Sequence, residues 1–453
     1  MQLNKIVLIS TNRYTDPSPV FPLALAYLSA FLSKRLPDLE IHQIDFNLHS
    51  QEQCNEILRD VDPDLIGISI RNVDTVNSFN DSHFIEDNKC LLEELREKFP
   101  RAKFIIGGAG FSIFPKDIFN LLNPDFGMIG EGEYSLYQLI NCLRNDEDYS
   151  DIEGLIYRKE EELILNRRKT YLESPEVAYN DEFIDYYWNE CGIINLQTKR
   201  GCPNQCVYCT YPLIEGRKIR MQKPEKTVEI LTKLKREKGV DFIFFTDSVF
   251  NVNNDHNREL TERIIASNLG ITWGAYFTPH NLDESLLRLF KKSGLTHIEF
   301  GTESLSNSTL KSYQKHFTFE EIRFTSKLCN KLEINAAHFL ILGGLGDTEE
   351  YILETIHNSE HLDKTVFFPF YGMRIYPGTA IYNQAIKEGR IEKTDSILNP
   401  TYYLVDNIDY KKIKDLAGKT KNRWIFPDED YTNRIEFMRK KGFKGPLWEH
   451  LIR

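Results

Sequence analysis

The stretch Arg200-Gly-Cys-Pro-Asn-Gln-Cys-Val-Tyr-Cys209 contains three cysteines, Cys202, Cys206 and Cys209, with gaps of three and two residues. Three thiolates at this spacing can bind three irons of a cubane cluster and leave the fourth iron open to another ligand. An open metal position is typical of catalytic centres, whereas structural sites are usually closed by four protein ligands. The stretch therefore predicts an iron–sulfur cluster with a reactive iron.

The alternative for these cysteines is a zinc knuckle or a set of incidental thiols. A zinc knuckle needs a fourth Cys or His nearby. Cys191 lies upstream at no customary spacing, and no His follows within forty residues of Cys209. The iron–sulfur prediction is therefore favoured.

Length and charge restrict the class of protein. The 453 residues are enough for two or three domains with sizeable cores. A formal net charge of −11 argues against a nucleic-acid or membrane-surface binder. No apolar run approaches the ~20 residues of a membrane-spanning helix, and Met1–Lys5 leads into an apolar strand without a cleavable signal. The eight cysteines do not make a disulfide framework, so we expect a cytoplasmic protein.

Residues 1–145 alternate short apolar strands with helical segments. The predicted strands are Lys5–Ser10, Ile41–Phe46, Asp64–Ile70, Lys103–Gly108 and Phe126–Ile129. The predicted helices are Pro22–Lys34, Gln51–Asp60, Asp81–Lys98, Pro115–Leu122 and Glu133–Arg144. Strands that are apolar on both faces suit a parallel sheet covered by helices. The pattern predicts a doubly wound, flavodoxin-like α/β domain that binds its ligand beyond the carboxyl ends of the strands. The loops at that edge are Thr11–Phe21, Arg71–Phe79, Gly107–Ser112 and Gly130–Gly132.

The rest of the chain divides into three segments. Residues 146–190 are charged and irregular, which predicts a linker with a small hairpin of Gly154–Tyr157 against Leu163–Asn166. Residues 191–390 contain six predicted strands, Ile193–Thr198, Asp241–Thr246, Ile271–Phe277, His297–Gly301, Asn335–Leu342 and Val366–Ile375. Six βα units predict a partial (βα)6 barrel with its chemistry at the carboxyl ends of the strands. Residues 391–453 are predicted to form a small carboxyl-terminal cap.

Four short motifs follow the cysteines in order on successive predicted strands. They are Phe245-Thr-Asp247-Ser-Val-Phe250, Glu299-Phe-Gly-Thr-Glu303-Ser304, Ile341-Leu-Gly343-Gly344-Leu-Gly346-Asp-Thr-Glu349 and Tyr376-Pro377-Gly378-Thr379. Together with the cysteine loop, they resemble the cobalamin-binding-domain radical S-adenosylmethionine (SAM) enzymes, often called class B methylases. The resemblance covers residues 3–390.

The resemblance implies a role for each motif. The three cysteines would hold a 4Fe–4S cluster whose open iron is chelated by SAM, and an electron from the cluster would cleave SAM to a 5′-deoxyadenosyl radical. Asp247 and Glu303 would be catalytic, although Ser248 stands where the family often has a second acid. The implied SAM-binding residues are Tyr208, Glu303, Gly343, Gly344, Gly346, Pro377 and Gly378.

The amino-terminal domain resembles the cobalamin-binding domain of the same family. Its turns Gly107-Gly108-Ala-Gly110 and Gly130-Glu131-Gly132 resemble turns that cradle the corrin ring, and Arg71-Asn72 would contact corrin amides. The Asp-x-His-x-x-Gly motif of related proteins is absent from residues 11–20, and Asp81-Ser-His83 supplies half of it later in the chain. Phe111 follows the glycine turn where many relatives carry a histidine. We therefore expect cobalamin to be held without a protein histidine on cobalt.

Several other polar groups have ordinary structural interpretations. Arg374 could bind a carboxylate or phosphate, and a barrel-wall ion pair is equally consistent with its position. His338 is predicted to be a core histidine. Four cysteines in helical patterns are predicted to be small buried hydrophobes, namely Cys54, Cys90, Cys142 and Cys329.

The favoured function is cobalamin-dependent methyl transfer or cyclisation on a carbon of a natural product or metabolite. The partners would be a small-molecule substrate and an external electron donor such as flavodoxin or ferredoxin, with no nucleic acid and no membrane. The main alternative is a cobalamin-independent radical dehydratase or epimerase acting on a sugar-like substrate. Lower alternatives are a methylthiotransferase and a non-catalytic cobalamin or redox sensor.

Overall fold

The computed structural model describes residues 3–15, 18–79, 82–429 and 432–452. Asp81 and part of the predicted loop Thr11–Phe21 lie outside these residues. The chain forms two compact units. The first comprises Met1–Thr75, Ser82–Tyr187 and Thr210–Gly216, and the second comprises Val76–Asp81, Trp188–Cys209 and Arg217–Arg453. Within the described ranges, no helix is both long and apolar enough to cross a membrane.

The first unit contains a seven-stranded sheet. Its strands β1 to β7 are Lys5–Ser10, Glu40–Asp45, Leu65–Ser69, Lys103–Gly107, Phe126–Met128, Leu155–Lys159 and Glu162–Leu165. The helices α1 to α6 are Leu23–Arg35, Gln51–Val61, Ile85–Lys98, Ala109–Ile113, Pro115–Leu122 and Glu133–Asn145, and α7 (Asp181–Glu190) follows the sheet in the chain. The strand order is β2-β1-β3-β4-β5-β6-β7. The first five strands are parallel, which confirms the doubly wound, flavodoxin-like prediction.

The predicted hairpin forms, but it is more than part of a linker. Strand β6 pairs antiparallel with both β5 and β7, so the hairpin extends the parallel sheet at its edge. Leu155 and Ile156 are completely buried. Apolar residues at the start of β6 therefore join the core of the first unit, and the charged residues that suggested a linker are confined to the hairpin tip and the flanking loops.

The second unit contains the predicted parallel strands and several short additions. Strands β8 to β18 are Ile194–Leu196, Lys199–Arg200, Arg220–Met221, Phe242–Phe245, Thr272–Phe277, Leu295–Glu303, Asn335–Leu342, Thr365–Tyr371, Met373–Arg374, Tyr402–Tyr403 and Arg423–Trp424. The later helices, α8 to α17, are Tyr211–Ile214 (in the first unit), Pro224–Lys238, Asn254–Ser267, Glu284–Lys292, Asn307–Ser312, Phe319–Lys331, Glu349–Ser359, Ala380–Lys387, Tyr410–Gly418 and Thr432–Lys440. Two 3-10 turns lie at Phe250–Val252 and Trp448–Leu451.

The main sheet of this unit has the order β18-β15-β14-β13-β12-β11-β8. All its neighbouring strands are parallel. The six predicted strands are therefore confirmed, and a seventh, β18, comes from the segment predicted as a cap. The same segment supplies β17, which pairs antiparallel with β16.

The two faces of this sheet differ in what they contact. Leu340, Leu342 and Phe367 face the helices and pack against Ile322 and Ile352 in one core cluster. Alternate residues point to the opposite face, which is the interior of the partial barrel and is called the inner face below. Its amino-terminal end is closed by the turn Trp448–Leu451, whose apolar side chains pack on inner-face residues of β14 and β15.

A carboxyl group is buried on the inner face. Glu299 of β13 accepts a hydrogen bond from Nε1 of Trp448 over 3.0 Å. The nearby His297 and Glu449 form a separate ion pair at 3.2 Å. Burial raises the pKa of Glu299 from its usual 4.5 to about 7, against the opposing effect of the Trp448 hydrogen bond.

We predict that Glu299→Gln stabilises the protein at alkaline pH. Because the pKa of Glu299 is higher in the folded protein than in the unfolded chain, the folded state loses stability as the pH rises from about 4.5 to about 7. The free energy of unfolding falls by at most roughly 3 kcal/mol over this pH range. The variant should therefore unfold at a higher temperature than the parent at about pH 8 and differ much less at about pH 5.

The control for this measurement is Glu237→Gln on the exposed face of α9, which should leave the pH dependence of thermal unfolding unchanged. If Glu299→Gln shifts the unfolding temperature equally at both pH values, the titration of Glu299 does not affect stability.

Candidate functional site

The cysteine loop begins where two short strands pair. Residues of β9 and β10 form an antiparallel ladder, with Lys199 opposite Met221 and Arg200 opposite Arg220. Residues 201–206 then follow an irregular path, and the backbone N–H of Cys209 donates to the carbonyl of Cys206 over 3.2 Å. Cys202 is buried, whereas Cys206 and Cys209 are half-buried. The three thiols thus lie on one loop after the first strand of the barrel, where they were predicted.

Asp247 holds the start of this loop in place. Its carboxylate is completely buried. It accepts hydrogen bonds from the backbone N–H groups of Thr198 and Lys199, from Oγ1 of Thr198 at 2.6 Å and from Nζ of Lys199 at 2.9 Å. The Lys199 ammonium also lies 4.2 Å from the centre of the Phe250 ring. Asp247 was predicted to be catalytic, but the structure gives it a positioning geometry because all of these donors come from the chain itself.

A second buried ion pair lies beside the cysteines. Nζ of Lys315 is 2.7 Å from Oε2 of Glu303, and it donates to Oη of Tyr208 at 3.1 Å and to the carbonyl of Gly301 at 3.0 Å. Tyr208 in turn donates to Oε1 of Glu303. The structure therefore brings together Tyr208 and Glu303, as predicted, and adds Lys315.

The charges of this group are coupled to the thiols. Burial would lower the pKa of Lys315, but Glu303 and Cys206 outweigh it, so that pKa is raised. Burial raises the pKa of the Cys206 thiol, and Lys315 opposes the rise. Burial, reinforced by Glu303, holds the pKa of Tyr208 well above its usual range. Lys315 is thus a permanent cation beside the loop.

The donor chemistry of the loop fits an iron–sulfur cluster. Thiolates are the usual ligands of such clusters, and the buried Lys315 cation would offset part of their negative charge. No three Cys, His, Asp or Glu side chains converge on one point in the described part of the chain. A cubane cluster does not need such a point, because each of its thiolate ligands binds a different iron.

The glycines after β14, which were predicted to bind SAM, pack closely against side chains of the chain itself. A Cβ on Gly343, Gly344 or Gly346 would lie 2.4–2.6 Å from a hydroxyl of Tyr410, Tyr313 or Ser312, respectively. These glycines therefore make room for hydroxyl groups of the chain itself, so their lack of side chains needs no adenine to explain it. The turn is fixed by Asp347, whose carboxylate accepts from the Gly343 N–H at 2.8 Å and whose pKa burial raises to about 6.

Three further residues that the sequence analysis singled out are Pro377, Gly378 and Arg374. Pro377 and Gly378 form the turn before α15, where Gly378 has a positive φ of 78°. Arg374 is buried and donates to the carbonyls of four residues, Ile375, Ile397, Leu398 and Thr401. These four contacts give Arg374 a structural role in the second unit.

His338 and the four cysteines that were predicted to be buried differ in how far they are exposed. His338 lies between Oγ1 of Thr302 and Oγ of Ser326 at 3.2 Å each, and burial lowers its pKa to about 3, which confirms a core histidine. Cys54 and Cys329 are buried as predicted. The prediction was wrong for Cys90, which is exposed, and for Cys142, which is only half-buried.

In the first unit, the predicted cobalamin-binding residues gather at the carboxyl ends of β3, β4 and β5. Arg71 is exposed and Asn72 is half-buried after β3. Gly107 ends β4, and Gly108 has a φ of +100° and no room for a side chain, because a Cβ there would lie 2.4 Å from the Ile70 carbonyl oxygen. After β5, the N–H of Gly130 donates to Oγ of Ser112 over 2.8 Å.

The acidic residue of the turn Gly130-Glu131-Gly132 bonds to the backbone of the first unit. Glu131 accepts from the Leu172 N–H over 3.2 Å, and Gly132 precedes the first turn of α6. Small residues and backbone therefore line the sheet edge, which fits a large flat ligand such as a corrin.

The structure shows where the side chain of Phe111 lies. This ring is completely buried, and a Cβ on Gly127 would lie 2.4 Å from its Cζ atom. Gly127 thus leaves space in β5 for the ring, which belongs to the core and not to the sheet edge. His83 pairs with Asp74 in an isolated bridge, and its Nε2 atom is buried.

Lys315 is the main functional residue that the sequence did not reveal. It follows the six-residue helix α12, away from every motif. The available signal was general: a buried Glu303 needs a cation or hydrogen-bond donors, and Lys315 is one of two lysines between Glu303 and α13.

Comparison with known families agrees with the two units. The profile described as "B12 binding domain" matches residues 11–140, and the profile "Radical SAM superfamily" matches residues 196–358.

The individual relatives have low sequence identity to this chain. An uncharacterized methyltransferase of Pyrococcus horikoshii is 26% identical over 375 residues, which are 81% of this chain and 78% of the relative. The anaerobic magnesium-protoporphyrin IX monomethyl ester cyclase of Cereibacter sphaeroides is also 26% identical, over 78% of this chain and 59% of the relative. The radical SAM methyltransferase TsrM from Kitasatospora setae, solved with tryptophan and a SAM analogue, superposes with a TM-score of 0.86 at 20% identity and covers 99% of this chain and 97% of its own. The chain therefore combines a B12-binding domain with a radical SAM domain.

Proposed function

We propose that this enzyme transfers a methyl group to a carbon of a small organic molecule, with a cluster on the cysteine loop and cobalamin at the sheet edge of the first unit. The observation that carries the proposal is the presence of both family profiles in one chain. Relatives described as methyltransferases support it over most of the chain.

Cys202, Cys206 and Cys209 would hold the cluster. When bound, the cluster and SAM supply a radical or methyl source, and cobalamin supplies a carrier for the methyl group. The electron would come from an external protein such as flavodoxin or ferredoxin, in the reducing environment of the cytoplasm.

The residues around the loop would position the reactants. Asp247 fixes the backbone of Thr198 and Lys199, and thereby the start of the loop that leads to Cys202. Lys315 would neutralise charge near the thiolates. Glu303, held by Lys315 and Tyr208, would keep one carboxylate edge directed at a bound ammonium or hydroxyl group.

The function is tested by anaerobic turnover with and without cobalamin. Methyl transfer predicts that S-adenosylhomocysteine forms only in cobalamin-loaded enzyme. If 5′-deoxyadenosine forms at the same rate without cobalamin and no S-adenosylhomocysteine appears, the alternative rearrangement is correct.

We predict that replacement of Cys202, Cys206 and Cys209 by Ala abolishes the cluster. Three thiolates are the minimum set that leaves one iron open, so iron and sulfide content, visible absorbance and SAM cleavage should all be lost. Cys90→Ala is the control, because this exposed cysteine lies in the other unit. Full iron and sulfide content in the triple variant would refute the assignment.

We predict that Glu303→Gln weakens SAM binding about tenfold or more, because a charge-assisted hydrogen bond is worth ~1.5–3 kcal/mol. Titration calorimetry on the reconstituted protein measures the affinity, and iron analysis should show an unchanged cluster. Glu320→Gln at the exposed start of α13 is the control. Unchanged SAM affinity would leave Glu303 with only a structural role in its contacts with Lys315 and Tyr208.

We predict that bound cobalamin has no protein nitrogen on cobalt. The Asp-x-His-x-x-Gly motif is absent from residues 11–20, and His83 supplies only half of it later in the chain, so His83→Ala should retain corrin absorbance through gel filtration. The electron paramagnetic resonance spectrum of the cob(II)alamin form should show no superhyperfine splitting from a protein nitrogen. Such splitting, lost in His83→Ala, would contradict the prediction.

A further inference from the structure

The inner face of the second unit carries a group of aromatic side chains. Tyr276, Phe339, Phe368 and Phe370 all occupy alternate positions that point away from the helices. Tyr276 is 37% exposed, and the three phenylalanines are half-buried. Phe339 and Phe368 stack with their centres 5.2 Å apart. We call these four side chains the inner aromatic group.

The accessibility of this group is unusual for its position. On the opposite face of the same strands, Phe300, Leu340 and Phe367 are completely buried. Large apolar side chains in the middle of a parallel sheet are normally covered on both faces. The inner aromatic group therefore lines a space that remains open to solvent.

Glu299 lies within this lining. In the strand register it stands between Tyr276 of β12 and Ala337 of β14. Two nearby residues of the inner face are glycines. Gly301 lies two residues after Glu299 on β13, and Gly274 lies two residues before Tyr276 on β12. The inner-face neighbours of the carboxyl group are thus Tyr276, Ala337 and the two glycines, together with His297, which precedes it on the same face of β13.

The hydrogen bonding of Glu299 is incomplete. Across the described ranges, its carboxyl group makes one hydrogen bond, from Trp448 to Oε1. The donor is a neutral indole N–H, and the charged groups nearest in the floor of the barrel, His297 and Glu449, are occupied with each other. A buried carboxyl normally finds two or more donors or a cation, so the Oε2 atom is available to accept from a bound molecule.

We propose that Glu299 recognises the enzyme's substrate by accepting a hydrogen bond from an N–H or O–H group on a planar, largely apolar molecule that stacks on the inner aromatic group. This inference rests on the proposed function, because it assigns the substrate of the same barrel. Aromatic surfaces select flat partners by offset or edge-to-face stacking. A single buried acceptor then discriminates strongly against analogues that lack the donor.

The burial of Glu299 is consistent with this role. Burial raises its pKa to about 7, so near neutral pH the group exchanges between a protonated form and a carboxylate. The carboxylate is the stronger acceptor, and a substrate donor would favour it. Binding of such a substrate should therefore strengthen as the pH rises through 7.

The test compares two probes, indole and 1-methylindole, which differ in one N–H donor. Binding to the full-length reconstituted protein is measured by ligand-observed nuclear magnetic resonance without reductant. Indole should bind about tenfold more tightly than 1-methylindole to the parent protein, and Glu299→Met should abolish this preference. Glu449→Gln is the control, since it alters the floor of the barrel without touching Glu299, and it should retain the preference.

Two outcomes would overturn the inference. One is equal affinity of the parent protein for the two probes, and the other is an unchanged preference in Glu299→Met. If Glu299→Met does not fold, Glu299→Gln replaces it and should lose the pH dependence of indole binding. Since no turnover is measured, failure of methyl transfer would leave this result intact, and loss of the probe preference would leave the turnover result intact.

Discussion

The second unit depends on the fully buried carboxylate of Asp247. It joins the end of β11 to the backbone just before the cysteine loop through four hydrogen bonds, one of which is also an ion pair with Lys199. A buried pair of this kind adds little net stability, but loss of one partner strands a charge in the core. Its value is positional, because it fixes the direction in which the chain leaves β9. The reactive loop is therefore held by a group that does not itself need to meet any ligand.

The sequence was sufficient to predict elements with a strong repeating pattern. Five parallel strands of the first unit and six of the second follow apolar runs between helices, and a capping box from Thr318 to Glu321 marks the start of helix Phe319–Lys331. Strand β18 has two residues, too few to show any period. The cysteines and Glu303 were predictable because a motif fixes their spacing. Lys315 was not, since its contact with Glu303 depends on the path of an irregular loop.

Roles were harder to predict than positions. Asp247 and Arg374 lie on the elements where they were expected, yet their hydrogen bonds are satisfied within the chain. Phe111 shows the same limitation, because its place in the core becomes clear only when Gly127 is seen to make room for it. A sequence motif records which residue occupies a place, whereas partners from distant segments decide whether that residue faces the core or a ligand.

The last strand of the second unit also affects how the protein is made. Strand β18 pairs with Val366 and Phe367 at the free edge of β15, and its two residues leave the ribosome more than fifty residues after β15 is complete. Until then, β15 presents unpaired backbone groups, which are a template for pairing with other chains. The nascent second unit therefore passes through a stage with an exposed parallel edge, and its vulnerability to aggregation is greatest during synthesis.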